Sequence, residues 1–149
     1  MKRILIIFVL LVLFTGLGLA WGEDRQPFDG LIIDARETGF RPALVNTIWD
    51  NSGLQVYAPD KLDRNILIEN GCGEYTASIE EAKGQLRKRG VNNPLVVNAN
   101  MTKQNFSGII IGEDEAHFIR EADSQMHFLS EAKVAFVFSI VRLAFCMVL

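Results

Sequence analysis

The stretch that decides the fold is 28–59, FDGLIIDARETGFRPALVNTIWDNSGLQVYAP. Its Leu31-Ile32-Ile33 run is apolar, β-branched at Ile32 and Ile33, and bounded by Gly30 and Asp34, a composition that fits a strand buried on both faces rather than an edge. Side chains alternate along a strand, so Asp34 and Arg36 should emerge on one side with Ala35 opposite. Pro42 lacks a backbone donor and holds Arg41 extended, which interrupts regular pairing over 39–42. Beyond it, 46–50 and 54–58 flank Asn51-Ser52-Gly53. Asn and Ser bond their own backbone and Gly supplies a positive φ, so the spacing predicts a β-hairpin. Trp49 and Tyr57, one on each arm, either stack on a ligand or, as aromatics on paired strands usually do, pack across the strands.

Upstream of this stretch, Lys2 and Arg3 precede an apolar run from Ile4 to Phe14 and small residues near Ala20-Trp21-Gly22. That order predicts a secretory signal peptide over 1–22, cut before Glu23. The alternative is an uncleaved membrane anchor, since Ile4 to Trp21 falls just short of the roughly 20 apolar residues that span a bilayer. No cysteine follows the run, so a lipid attachment site is missing there.

Downstream, 59–69 is charged around Ile66-Leu67-Ile68 and reads as a loop leading into a brief extended or helical segment. Ser78 and Glu81 form a capping box, and Ile79, Ala82 and Leu86 recur at helical spacing until Gly90. Arg87-Lys88-Arg89 falls where cations complement the last helix carbonyls. Leu95 to Ala99 has a central-strand composition, and 108–112 is a further apolar strand, so Leu95–Met101 with Ser107–Ile111 reads as a second hairpin. The sequons at Asn100 and Asn105 fall in its connection; they would count in a eukaryotic secretory protein and are chance matches in a bacterial one, the reading favoured here. Glu113-Asp114-Glu115 opens a second helix striped by Ala116, Ile119, Ala122, Met126 and Leu129, with loosening near Asp123-Ser124. Val134 to Phe138 is the last strand. Residues 139–149 continue apolar around Arg142, and even the whole run Val134 to Leu149 is shorter than the roughly 20 residues of a spanning helix and carries that arginine. A long final strand, a tail packed on the domain or on another subunit, and an altered reading-frame end all fit them. These elements predict an α+β fold over 23–138, a mostly antiparallel sheet with two amphipathic helices on one face.

The chain carries a net charge of −3, and loss of Lys2 and Arg3 would make it more acidic. Nucleic acid is thereby excluded as a partner, because its binding needs clustered cations. Cys72 and Cys146 are too few for a disulfide scaffold. Cys72 lies between Gly71 and Gly73, but its nearest charged neighbours, Glu69 and Glu74, disfavour a thiolate. His117 and His127 sit ten apart and lack the four-residue step of a helical zinc site, so no metal or cofactor is expected. No complete catalytic constellation emerges, and Asp34, Arg36 and Asp50 are the candidate polar or ligand-facing residues.

The GLIIDAR run, Arg41-Pro42-Ala43, the IWDNSGLQVYA hairpin, Gly73-x-Tyr75, Asn93 to Val97 and the EDEA helix leading to KVAFVF resemble a domain of bacterial envelope proteins. It is similar to the region found in twenty-kilodalton (LPP-type) lipoproteins and in proteins related to flagellar assembly protein T. The resemblance covers roughly 28–138. Glu37 and Cys72 depart from its pattern, and the helical domain that often precedes it is missing. It implies an exported, non-enzymatic domain. Taken with the signal-peptide order of 1–22 and the lack of a catalytic constellation, the leading expectation is a periplasmic or secreted domain that binds protein or cell-surface partners through its sheet edge or loops, with the termini as the places where it could touch a membrane. The rival expectations are a small hydrolase-like enzyme using Asp34, Arg36, Asp50 or Cys72, which requires those groups to converge, and a protein tethered by an uncleaved N-terminal helix.

Overall fold

The computed structural model describes residues 26–140, so the expected signal peptide, and the tail beyond Ile140 with Cys146, lie outside the described residues. Within them the order is β1 (Gly30–Asp34), β2 (Thr47–Asp50), β3 (Gln55–Tyr57), α1 (Arg64–Asn70), β4 (Glu74–Thr76), α2 (Ile79–Lys88), β5 (Pro94–Asn98), β6 (Met101–Thr102), β7 (Gly108–Ile111), α3 (Glu113–Met126) and β8 (Val134–Val137). A 3-10 turn at Pro59–Lys61 precedes α1, so the 59–69 segment resolves as helical. Asp63 caps α1 by accepting the Asn65 amide at 2.8 Å.

The class is α+β, but the mostly antiparallel sheet is corrected. β4, β8, β1 and β5, in that order, form a sheet in which every pairing is parallel. β3, β2, β7 and β6 form a second sheet, with a parallel β2–β7 pair flanked by antiparallel pairs. The physical reason lies in the connections: α2 carries the chain from β4 back to the end where β5 begins, and a strand–helix–strand unit of this kind runs parallel. The hairpin over 46–58 forms as expected, as β2 and β3 with a register shift at Ile48/Trp49. The second hairpin is shorter than expected. β7 pairs with two-residue β6, while Leu95 to Asn98 stay with β1 in the other sheet. The change of sheet occurs within two residues, the Ala99 amide donating to Asp34 O and the Asn100 amide to Ile110 O.

Leu31, Ile32 and Ile33 are fully buried between β8 and β5, which confirms the central strand expected for them. One face of the parallel sheet, with Ile32, Ala135 and Val137, packs on Ala82 and Leu86 of α2 and on Val91. The other face, with Leu31, Ile33, Val97, Val134 and Phe136, shares a core with Ile48, Ile109 and Ile111 of the second sheet and Ala116 and Ile119 of α3. The two long helices therefore do not lie on one face of one sheet. Each apolar stripe finds a different layer.

The α2 boundaries follow from local chemistry. Ser78 Oγ accepts the Glu81 amide at 3.2 Å, and Glu81 Oε2 reaches back to the Ala77 amide at 3.2 Å. At the other end Gly90 takes a φ of 82°, its amide reaches Arg87 O and the Val91 amide joins that of Arg89 on Leu86 O, which closes the last turn. Arg89 does more than complement that helix end. It donates to Ala132 O at 2.6 Å and Glu131 O at 2.9 Å, tying α2 to the turn before β8.

Candidate functional site

Asp34 ends β1, and its side chain meets Arg36 as the strand alternation requires, with Arg36 Nε to Oδ1 at 2.8 Å and Nη2 to Oδ2 at 2.6 Å. Those hydrogen bonds hold the Asp34 carboxyl below its ordinary range against the opposing effect of burial. Such a forked pair is already saturated by its own partner. Asp50 ends β2, in the other sheet, and is 4% exposed. It accepts from Ser52 Oγ at 2.6 Å, the Leu54 amide at 2.8 Å and Arg120 Nη2 at 2.7 Å. The Ser52 hydroxyl first, and Arg120 with it, hold this carboxyl far below the usual carboxylate value. Each carboxylate is committed to a different arginine on a different element.

Cys72 is half-buried, and burial pushes its thiol up rather than toward thiolate. Its Sγ lies 3.5 Å from Leu44 O, and its carbonyl accepts the Tyr57 hydroxyl at 2.8 Å. Tyr57 and Trp49 do not pack on each other: the bulge in the hairpin turns Tyr57 into the core, 6.4 Å from the Phe136 ring, while Trp49 carries Lys103 Nζ 3.3 Å above its ring. Among the described residues, no group of three His, Cys, Asp or Glu side chains is placed to hold a metal ion. No helix among them is long and apolar enough to cross a membrane.

The feature with the clearest capacity to engage something else is the open side of β5. Its composition suggested a central strand, yet β5 is the edge of the parallel sheet. Ala99 donates its amide to Asp34 O on β1. Amides alternate in direction along a strand, so those of Leu95 and Val97 also face β1, and those of Val96 and Asn98 face away. The outward amides and carbonyls of Val96 and Asn98 take no partner among the described residues. Val96 is 40% exposed and Asn98 is exposed, whereas Leu95 and Val97 are buried.

Two grooves run along this edge and share Phe118 as a wall. One, of about 560 Å³, is lined by Val96, Asn98, Asn100, Asp114 and Glu115 beside Phe118. The other, of about 570 Å³, is lined by Gln26, Phe28, Asn92 and Asn93 beside Phe118. Phe118 is 45% exposed and is braced edge-on by Phe28, with ring centroids 5.7 Å apart. Asp29 braces the floor by accepting the Asn92 and Asn93 amides, each at 2.8 Å. An exposed strand edge, an apolar wall and amide side chains can bind an extended chain through main-chain hydrogen bonds and side-chain pockets.

Reasoning from the sequence missed Phe118, although a bulky apolar residue off the Ala116/Ile119 stripe was a readable signal. It also missed Arg120, whose pairing with Asp50 spans 70 positions and leaves no local signature. A family model described as Treponema pallidum Tp0624, second domain, matches residues 30–139, which include all eight strands and the three helices. No curated protein matches the chain.

Proposed function

The chain belongs to the family of the second domain of Treponema pallidum Tp0624, a family of bacterial proteins, and from that premise we propose that it is an exported, non-catalytic envelope domain that binds a protein partner along the open edge of β5. The single observation that carries this reading is the pair of outward-facing, unpartnered peptide groups at Val96 and Asn98 beside the exposed Phe118 ring. Natural proteins blunt open edges with lysine, proline or a covering segment. This edge begins with Pro94 but presents valine and asparagine at the positions that matter. The non-catalytic part rests on the commitment of Asp34 and Asp50 to their own arginines and on the raised thiol of Cys72. Export rests on the basic-apolar-small order of 1–22. Kinship with LPP-type lipoproteins or flagellar assembly protein T belongs to the same proposal and rests on the motifs alone.

The test is site-specific photo-crosslinking in expressing cells, with the reactive side chain at position 96 or 118 and at Gln104 as control. The reading expects a discrete adduct from 96 and 118 that is absent from 104. Adducts from all three positions alike, or from none, would overturn it.

A further inference from the structure

We infer that the occupant of the β5 edge is an extended, β-branched segment of a partner protein carrying a lysine or arginine that lies against Asp114 and Glu115. The inference rests on the edge-binding reading above and adds the chemistry of what binds. The main-chain groups of Val96 and Asn98 are spaced two residues apart on one side of β5, so the ligand they fit is itself an extended strand, whose peptide groups repeat with the same period. The residues on either side of that line set its side chains. Phe118 and the exposed flank of Val96 favour apolar, β-branched residues, which pack well on a pleated surface.

Charge decides the rest. The two grooves contain Asp114 and Glu115 and no lysine or arginine. Neither carboxylate has an ion-pair partner among the described residues, whereas Asp34, Asp50, Glu80 and Glu131 each do. Both stand in the first turn of α3, where the helix terminus already favours negative charge. A cation on the incoming strand would complement them, and an acidic segment would meet repulsion from the groove and from the net −3 chain. A second copy pairing β5 to β5 fits less well. An antiparallel two-fold would set the acids of one copy against Gln26, Asn92 and Asn93 of the other, leaving both carboxylates without a cation.

The experiment selects from a displayed library of random decapeptides on the full chain, then titrates the leading peptide and its Lys/Arg-to-Glu counterpart in solution. The expected pool alternates β-branched residues with at least one cation. The glutamate counterpart, and the original peptide on the Asp114→Asn/Glu115→Gln chain, should each bind at least about fivefold more weakly. Val96→Pro removes the outward donor and leaves every bond to β1 in place, so it should abolish selection; Val96→Lys serves the same purpose if the proline variant fails to fold. Equal binding of the two peptides overturns the charge assignment while the edge reading stands. An empty selection overturns this proposal, and together with silent crosslinks at position 96 it overturns the edge reading as well. A chain that sediments as a dimer, and as a monomer after Val96→Lys, would assign the edge to a second copy and overturn the proposal.

Discussion

Asp50 is an acid with almost no access to water that stays charged because three donors surround it: Ser52 Oγ, the Leu54 amide and Arg120 Nη2. Its folded-state pKa lies below that of the unfolded chain. The stabilisation is therefore complete above the unfolded value of about 4 and is lost as pH falls through the folded value. Melting temperature should fall between about pH 5 and pH 2 in the native chain, and that slope should flatten in Asp50→Asn, which also melts lower at neutral pH. A slope unchanged in the variant would show that other carboxylates govern acid unfolding. Phe136 makes a second prediction at this scale. Its ring lies 5.5 Å from Phe40 and 5.5 Å from Tyr75, stacked on both, and 6.4 Å from Tyr57. Phe136→Ala should cost about 3–5 kcal/mol in urea denaturation, because the ring is fully buried among three aromatic neighbours. Burial also pushes the Tyr75 hydroxyl up to about 12, so phenolate absorbance should not develop there until the fold is lost.

At the scale of elements, α2 shows what a sequence states outright. Ser78, Glu81, the Ile79/Ala82/Leu86 stripe and Gly90 each act within a few residues, and all four acted as read. Ser78→Ala should lower stability by about 1 kcal/mol, read as a fall of roughly 4 °C in melting temperature. Gly73 enters β4 with a φ of 125°, and a Cβ there would stand 2.6 Å from Val134 O. Gly73→Ala should therefore cost more than the cap does, by about 1–3 kcal/mol, and loosen the β4–β8 pair. A variant as stable as the native chain would contradict that close approach. Parallel pairing was not legible in the same way. β1 pairs with β5 and β8 across gaps of about 60 and 100 residues, and nothing local in GLIID, PLVVN or VAFV names the partner. The alternation of strands with α2 and α3 did carry the information, but the tight-turn signal of 51–53 invites an antiparallel reading of its neighbours.

At the scale of the molecule, the two sheets meet where β5 hands over to β6, so one continuous run, 94–102, forms an edge of each. Composition could not mark this run as an edge, because Leu95 and Val97 are apolar and buried on the core face, while Val96 and Asn98 owe their exposure to the absence of a fifth strand among the described residues. The candidate site was legible only in part for the same reason. Asp34 and Asp50 stood out as polar residues at strand ends, and the structure gives each a private arginine, whereas the groove depends on Phe118 lying beside a strand some twenty residues away in sequence. That β5 is an open edge is the claim on which the rest stands, and amide hydrogen exchange of the full chain, resolved by residue, tests it most directly. The Leu95, Val97 and Ala99 amides should exchange at least about tenfold more slowly than those of Val96 and Asn98, because only the first three face β1. Equal protection of all five would mean that the edge is already covered in the free chain, and would contradict the account.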